Sequence, residues 1–407
     1  MIASSGTVLT FLATGNPTGL SFSVEHGGTR AIFDLGREYS PGGAPFSQGL
    51  VPRPGRELSD LIEMGMAPRL EGVYEAWDGR TSIFLSHLHL DHTGLVGFIH
   101  PDLPLHYPAG MEDLRLACVE AGEVPWRDPA GLSVEEGATI DVGGIAVTFL
   151  PVDHDLPGAC GFLIRTPDAT IAFTGDHRWH GLHPERTAAF AEAVRGADLL
   201  LQEGVRLGLP PSPEDALDDT EAGLHRRFAE LLEETPGLVV VNLYPMNRER
   251  VAAFGRACAA AGRRFLMEPA AARVAGWPDV LEDEDEVRRS PERHCLQLGF
   301  TSLPRLIDLR PPAGSRYVHA DGGPLGRFDP AYPVMRTWAD LLGLEFVPLR
   351  CSGHSRPEDI VRMVEEVRPR LVLPVHTRAP EALEVPGVRS LCPQPLRPYP
   401  MAELLDA

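Results

Sequence analysis

Ser86-His87-Leu88-His89-Leu90-Asp91-His92 places four metal-binding side chains in the six positions from His87 to His92. The run follows Ser82–Leu85, a short apolar segment that reads as a strand. Sites on open sheets lie where strands end, so this is the place for exposed chemistry. Residues two apart in extended chain point the same way, so His87 and His89 can grip one ion. A turn beyond them can direct Asp91 and His92 to a second. Zinc accepts this mixture of imidazole and carboxylate. A lone histidine more often serves a core or a surface; the crowding of ligand groups at a strand end sets this run apart.

The pattern recurs downstream. The apolar strand Val147–Val152 ends in Asp153-His154-Asp155, Thr170–Phe173 ends in Thr174-Gly175-Asp176, and Leu371–Val375 ends in His376. If these strands share a sheet, one edge gathers His87, His89, Asp91, His92, His154, Asp176 and His376. Seven ligands suit two ions that share one carboxylate. Two ions about 3.5–4 Å apart can hold a bridging hydroxide and neutralise charge on an attacked phosphoryl or carbonyl group. His177, His180 and His183 follow in a loop, where substrate contact or solvent exposure is expected, with exposure favoured for His180 and His183. Asp153 and Asp155 flank His154, and one of them is a candidate to support a metal-bound histidine from behind, without a firm assignment.

Strands read at Thr7–Ala13, Leu20–Glu25, Ala31–Asp34, Ser82–Leu85, Ile145–Leu150, Gly161–Arg165 and Thr170–Phe173 alternate with helical patterns, so an α/β protein is expected. A long connection from Arg37 to Arg80 carries one helix, Glu57–Met64. After Gly204 the texture changes to a βαβ pattern reaching about Gly343. Helices are expected at Glu221–Glu234 and Glu249–Gly262, and parallel strands at Leu238–Leu243 and Arg264–Met267. The acidic stretch Glu282–Glu286 reads as a solvated face. A strand Glu345–Leu349, a helix Pro357–Val367 and the strand Leu371–Val375 complete the chain.

The 407 residues carry 37 basic and 57 acidic side chains, a formal charge of -20, and every basic one is arginine. That balance argues against a long nucleic-acid partner, although a local arginine groove is compatible with an acidic body. Arg226-Arg227, Arg248, Arg250 and Arg263-Arg264 could line one, or could equally be solvated helix faces. Six scattered cysteines, with no CxxC pair, read as buried reduced thiols. No apolar run is long enough to span a bilayer and no signal peptide is read at the N-terminus, so no membrane partner and a cytoplasmic location are expected.

The motif SHLHLDHTG (Ser86–Gly94) resembles the second motif of the metallo-β-lactamase superfamily. VDHDLPGACGF around His154 and TGD at Thr174–Asp176 resemble the third and fourth, and Asp34 in AIFDLG resembles the first. LLLQEGVRLG with Glu203, LRCSGHSRPEDI with His354 and LVLPVHTR with His376 are similar to motifs A, B and C of the β-CASP nucleases, most of all the RNase J-like members. The resemblance implies an αββα sandwich interrupted by a βαβ-type β-CASP insert: residues 1–205 and 347–407 form the metallo-β-lactamase domain, and 206–346 the insert. It also implies two Zn2+, with Mn2+ the alternative. His87, His89 and His154 would hold one, Asp91, His92 and His376 the other, and Asp176 would bridge. Asp34 and Glu203 would orient ligands without binding metal.

Motif B has a reading of its own. Ser355 to Glu358 fits a capping box ahead of the amphipathic run Ile360, Val361, Val364 and Val367. That would set Ser352, Gly353, His354 and Ser355 at a helix N-terminus, a natural phosphate site. The expected chemistry is attack on phosphorus by the bridging hydroxide, with Asp91 orienting or deprotonating it and His354 serving the phosphate or leaving group. The leading function is an RNase J-like exo- or endonuclease on single-stranded RNA or another phosphodiester. A small-molecule hydrolase of a lactone or phosphodiester on the same fold is the alternative. An inactive binding protein is a third class, against which the intact ligand set argues. Homo-oligomerisation stays open.

Overall fold

The computed structural model describes residues 6–14, 19–37, 45–46, 49–124, 126, 131–209 and 220–406. Two compact units emerge from the contacts: residues 1–179, 183–209 and 353–407 form the first, and 180–182 with 210–352 the second.

The first unit holds two seven-stranded sheets among the described residues. One runs in the order Pro398–Pro400, Val8–Thr14, Leu20–His26, Thr29–Phe33, Thr81–Phe84, Leu105–Pro108, Leu132–Val134. The other runs Arg389–Ser390, Leu371–Val375, Leu199–Glu203, Ala169–Phe173, Cys160–Thr166, Ile145–Pro151, Thr139–Val142. Their inner faces meet through interleaved aromatics: Phe22 lies edge-on to Phe173 at 5.1 Å, Phe33 is 5.4 Å from Phe162, and Phe84 is 6.1 Å from Phe149. Such ring pairs add to the burial that drives the sheets together. On the outer face of the second sheet, Phe190, Ala191 and Val194 join Ile360, Met363, Val364 and Val367 over Leu163, Ala172, Leu200 and Val372. The first three residues come from the helix Pro184–Ala193 and its C-cap, the next four from Pro357–Val367. The architecture is an α/β sandwich of paired sheets, as expected.

Ala169–Phe173, Leu199–Glu203 and Leu371–Val375 pair in parallel, with Phe173 opposite Leu201 and Leu201 opposite Leu373. Three strands from distant parts of the chain therefore finish level. One expectation needs correction: Thr81–Phe84 lies in the first sheet, so the seven candidate ligands do not share one sheet edge. They leave from the same end of two stacked sheets instead.

The second unit is a five-stranded sheet, parallel throughout, in the order Arg264–Met267, His294–Gln297, Val239–Leu243, Arg316–Ala320, Glu345–Pro348. The helices Glu221–Glu234 and Arg248–Ala260 pack together, with Phe228 stacked on Phe254 at 3.7 Å. A boundary at 346 would cut the strand Glu345–Pro348, whose Glu345 and Val347 pair with Arg316 and Val318; this unit runs on to Ser352. Within the acidic stretch, Asp283 caps the helix Glu284–Arg289 by accepting from the backbone N–H of Asp285 and Glu286.

Two of the arginines that could have lined a groove or a solvated helix face do neither. Arg263 is buried, donating to the carbonyls of Gly237 and His294. Arg250 is buried too, with a two-pronged contact to Glu221 at 2.7 and 2.8 Å and a third bond to Asp321 at 2.9 Å. Removing one partner of such a buried cluster strands the remaining charges. Arg250→Ala should therefore cost about 3–5 kcal/mol, read as a lowered urea midpoint for the second unit's transition.

Candidate metal centre

The site begins with Asp34, fully buried at the end of the strand Thr29–Phe33 and held in the left-handed region at φ 54°. Its carboxylate accepts from the Ser86 backbone N–H (2.7 Å), from Ser86 Oγ (2.8 Å) and from His92 Nδ1 (2.7 Å). Ser86 Oγ in turn accepts from His87 Nδ1 at 2.9 Å. One carboxylate thus fixes two imidazoles and turns the Nε2 of each away from itself. Partners of this kind set the tautomer of a metal-binding histidine.

Ligand-type atoms converge in two groups, each lying within 4.8 Å: His87, His89, His154 and Asp176, and Asp91, His92, Asp176 and His376. In the first, His89 Nδ1 is 3.1 Å from both His87 Nε2 and His154 Nε2. In the second, His376 Nε2 is 3.1 Å from Asp91 Oδ2. Asp176 belongs to both. Its Oδ2 lies 3.6 Å from His87 Nε2 and 3.2 Å from His92 Nε2, and its Oδ1 lies 3.0 Å from His376 Nδ1. All seven side chains expected from the sequence meet here.

The residues fit a metal pair on their own chemistry. His92 Nε2 and Asp176 Oδ2 are buried and face each other at 3.2 Å with no other hydrogen-bond partner, a pairing that a cation would complete. The donor set, imidazole with carboxylate, suits zinc or manganese.

Electrostatics divide the histidines. Burial, reinforced by the nearby His92 charge, holds His87 well below the ordinary imidazole range, and burial lowers His154 to about 4. Burial also opposes charge on His376 and His92, yet facing carboxylates win. Asp176 and Asp91 push His376 up to about 10, while Asp176 and Asp34 raise His92 well above its usual value. Asp91 and Asp176 stay well below the carboxylate range despite burial, because His376 and His92 stand against them.

Beside these groups sits His354, its Nδ1 3.6 Å from Asp176 Oδ2 and 3.7 Å from Glu203 Oε2. Burial lowers its pKa, but Asp176 and Glu203 together raise it above the usual value. Glu203 does not contact the metal groups as a ligand; its Oε1 accepts from the Ser355 N–H (3.1 Å) and its Oε2 from the Val205 N–H (3.0 Å).

The structure corrects several expectations around motif B. Ser355 caps no helix: Arg356 occupies the cap position of Pro357–Val367 without a side-chain bond. The Ser355 hydroxyl donates to the His177 carbonyl (2.9 Å) and its oxygen lies 3.0 Å from His177 Nδ1. With its N–H on Glu203, Ser355 is committed internally rather than to phosphate. Gly353 offers its carbonyl to His154 Nδ1 at 2.7 Å. Ser352 falls in the second unit, where its carbonyl lies 3.0 Å from His180 Nε2. His180 is buried and His183 half-buried, not exposed, and His177 is wholly enclosed, 2.9 Å from Gln202 Nε2. Asp153 is spent on Arg178 and the His183 N–H.

Residues 63–210 match the family described as a β-lactamase superfamily domain. Ribonuclease J from Mycobacterium tuberculosis is 25% identical, over 92% of this chain and 69% of that protein. Ribonuclease J from Sinorhizobium meliloti is 23% identical, over 80% of this chain and 65% of that protein. A crystal structure of a protein of unknown function from Enterococcus faecalis V583 superposes with a TM-score of 0.83 at 27% identity, covering 97% of this chain and 99% of that one. Fold and paired His/Asp groups together define a metal-dependent hydrolase of the metallo-β-lactamase superfamily. Within it, the chain is similar to ribonuclease J over most of its length. No described helix is long and apolar enough to cross a membrane.

Because His376 holds a proton up to about pH 10 in the metal-free protein, an arriving cation must displace it. Metal binding should release protons and tighten as pH rises toward that value. Calorimetric titration in two buffers of different ionisation enthalpy measures the proton count directly; proton uptake, or weakening with rising pH, would contradict this account.

Proposed function

We propose that the protein is a two-metal phosphodiesterase acting on single-stranded RNA, with zinc as the resident metal and manganese as the alternative. The observation that carries this reading is Asp176, shared between two overlapping ligand groups with a protonatable His354 alongside. Likeness to ribonuclease J over most of the chain supports RNA as the substrate class. A small-molecule ester is the second reading, favoured by the burial of Arg250 and Arg263, which removes two arginines from any nucleic-acid groove.

In the proposed reaction, bound metal ions supply Lewis acidity and an activated water. His87, His89 and His154 would hold one ion, and Asp91, His92 and His376 the other, with Asp176 between them. Asp91 orients the attacking water and can take its proton. His354, with its pKa raised by Asp176 and Glu203, carries a proton to hand to the leaving oxygen. Glu203 keeps that imidazole in place while fixing the N–H of the next residue, Ser355.

Metal-loaded protein should cleave 5′-phosphorylated single-stranded RNA faster than single-stranded DNA, a chromogenic phosphodiester or a lactone offered in parallel. Turnover of the lactone alone would refute the nuclease reading. His354→Ala should lose roughly 10²–10⁴-fold in kcat, as removal of a general acid does. Its metal content by elemental analysis should match the unmodified protein, and loss of metal would remove His354 from the acid role.

A further inference from the structure

Each imidazole of the two ligand groups presents one nitrogen to the centre, and the other nitrogen needs an anchor. For His87 that anchor is Ser86 Oγ, for His92 Asp34, and for His154 the Gly353 carbonyl. His376 is the exception, with Nε2 toward Asp91 and Nδ1 on Asp176 Oδ1, both members of its own group. His89 is turned the other way round: Nδ1 faces inward, 3.1 Å from His87 Nε2 and His154 Nε2, so Nε2 faces out. The carboxylate it meets is Asp155, whose Oδ1 lies 3.6 Å from that nitrogen.

We propose that Asp155 is the positioning residue of His89, taking the Nε2–H and thereby fixing Nδ1 as the atom that binds the first ion. The inference rests on the reading of this cluster as a metal centre. The 3.6 Å separation is ion-pair range, longer than a hydrogen bond. A side chain on Gly353 would meet Asp155 Cγ and Oδ1 at 2.9 Å and His154 Cε1 at 2.8 Å, so the backbone of motif B is packed directly against both residues. A side chain at this position would have to displace one of the two. One backbone position thus seats the anchor of His89 while its carbonyl anchors His154. The first ion's two outer imidazoles are both set from the Asp155–Gly353 contact, and His354 is the next residue along.

A competing arrangement starts from the same coordinates. Asp155 Oδ1 is 3.1 Å from His154 Nε2, close enough for the carboxylate to bind the first ion itself. The two roles separate on substitution, because an asparagine amide oxygen can still accept from His89 Nε2–H but is a poor replacement for an anionic ligand.

The test compares the unmodified protein with Asp155→Asn, Asp155→Ala and His89→Ala, each stripped of metal and then titrated with zinc against a chromophoric chelator. Cobalt(II) spectra report coordination, and melting curves check folding. Asp155→Ala should weaken one of the two ions by roughly 10–100-fold, the usual effect of losing such an anchor, and leave the other unchanged. Asp155→Asn should recover most of that loss and keep the cobalt spectrum of the unmodified protein. Unchanged affinity for both ions in Asp155→Ala overturns the proposal. Equal losses in the Asn and Ala variants, with altered cobalt spectra in both, overturn it in favour of direct ligation. If the unmodified protein takes up no metal, or His89→Ala binds as it does, the metal-centre reading fails and the proposal falls with it.

Discussion

The site depends on the register of three parallel strands. Ala169–Phe173, Leu199–Glu203 and Leu371–Val375 are buried along nearly their whole length and locked by continuous pairing, so their ends are level by necessity. Glu203 ends its strand, His376 follows the next directly, and Asp176 comes three residues past Phe173. A one-residue slip would turn every apolar side chain of the moved strand to the opposite face, so the ladder resists it strongly. That is how two residues 200 positions apart, Asp176 and His376, come to lie within 3.0 Å. The long excursion between Leu199–Glu203 and Leu371–Val375 costs little, since closure entropy grows only slowly with loop length. It folds as a unit with its own parallel sheet and its own core.

Placing charge at a buried sheet end is expensive unless every group is matched. The protein matches them by sharing. Asp34 serves Ser86 and His92, Ser86 passes the constraint to His87, and Asp176 faces His87, His92, His354 and His376 together. Carboxylates held ionised and imidazoles held protonated on one side, with His87 and His154 neutral on the other, give an asymmetric pair of groups. Networks of this type are costly when one member is missing, and that cost keeps the members aligned.

What could be read in the sequence followed locality. The helices Glu221–Glu234 and Pro357–Val367 and the strand Leu371–Val375 were legible because periodicity or apolar run length specifies them within a few residues. The candidate ligands were legible because each stops an apolar run. Leu199–Glu203 is central in its sheet yet not legible as a strand: five apolar-to-polar residues carry no period that separates strand from helix. Leu105–Pro108, His294–Gln297 and Arg316–Ala320 escaped for the same reason. Ser82–Leu85 was read as a strand, but its membership of the other sheet is a matter of tertiary pairing that no local pattern encodes. Arg250 and Arg263 looked like surface charge because their partners, Glu221, Asp321 and a set of carbonyls, lie far away in sequence.

The failed capping box teaches the most about function. Ser-x-x-Glu at Ser355–Glu358 satisfies the local rule, yet Ser355 finds a better partner in His177, 178 positions away. That choice buries the hydroxyl, draws the chain inward, and lets Glu203 hold the Ser355 N–H from the neighbouring strand end. On the other side of His354, Gly353 gives its carbonyl to His154. The residues on both sides of His354 are therefore tied to the metal-facing strand ends, and neither is left to a helix terminus. The distance from His354 to Asp176 is then a property of the sheet register, which argues that His354 belongs to the reacting site and not merely to its rim.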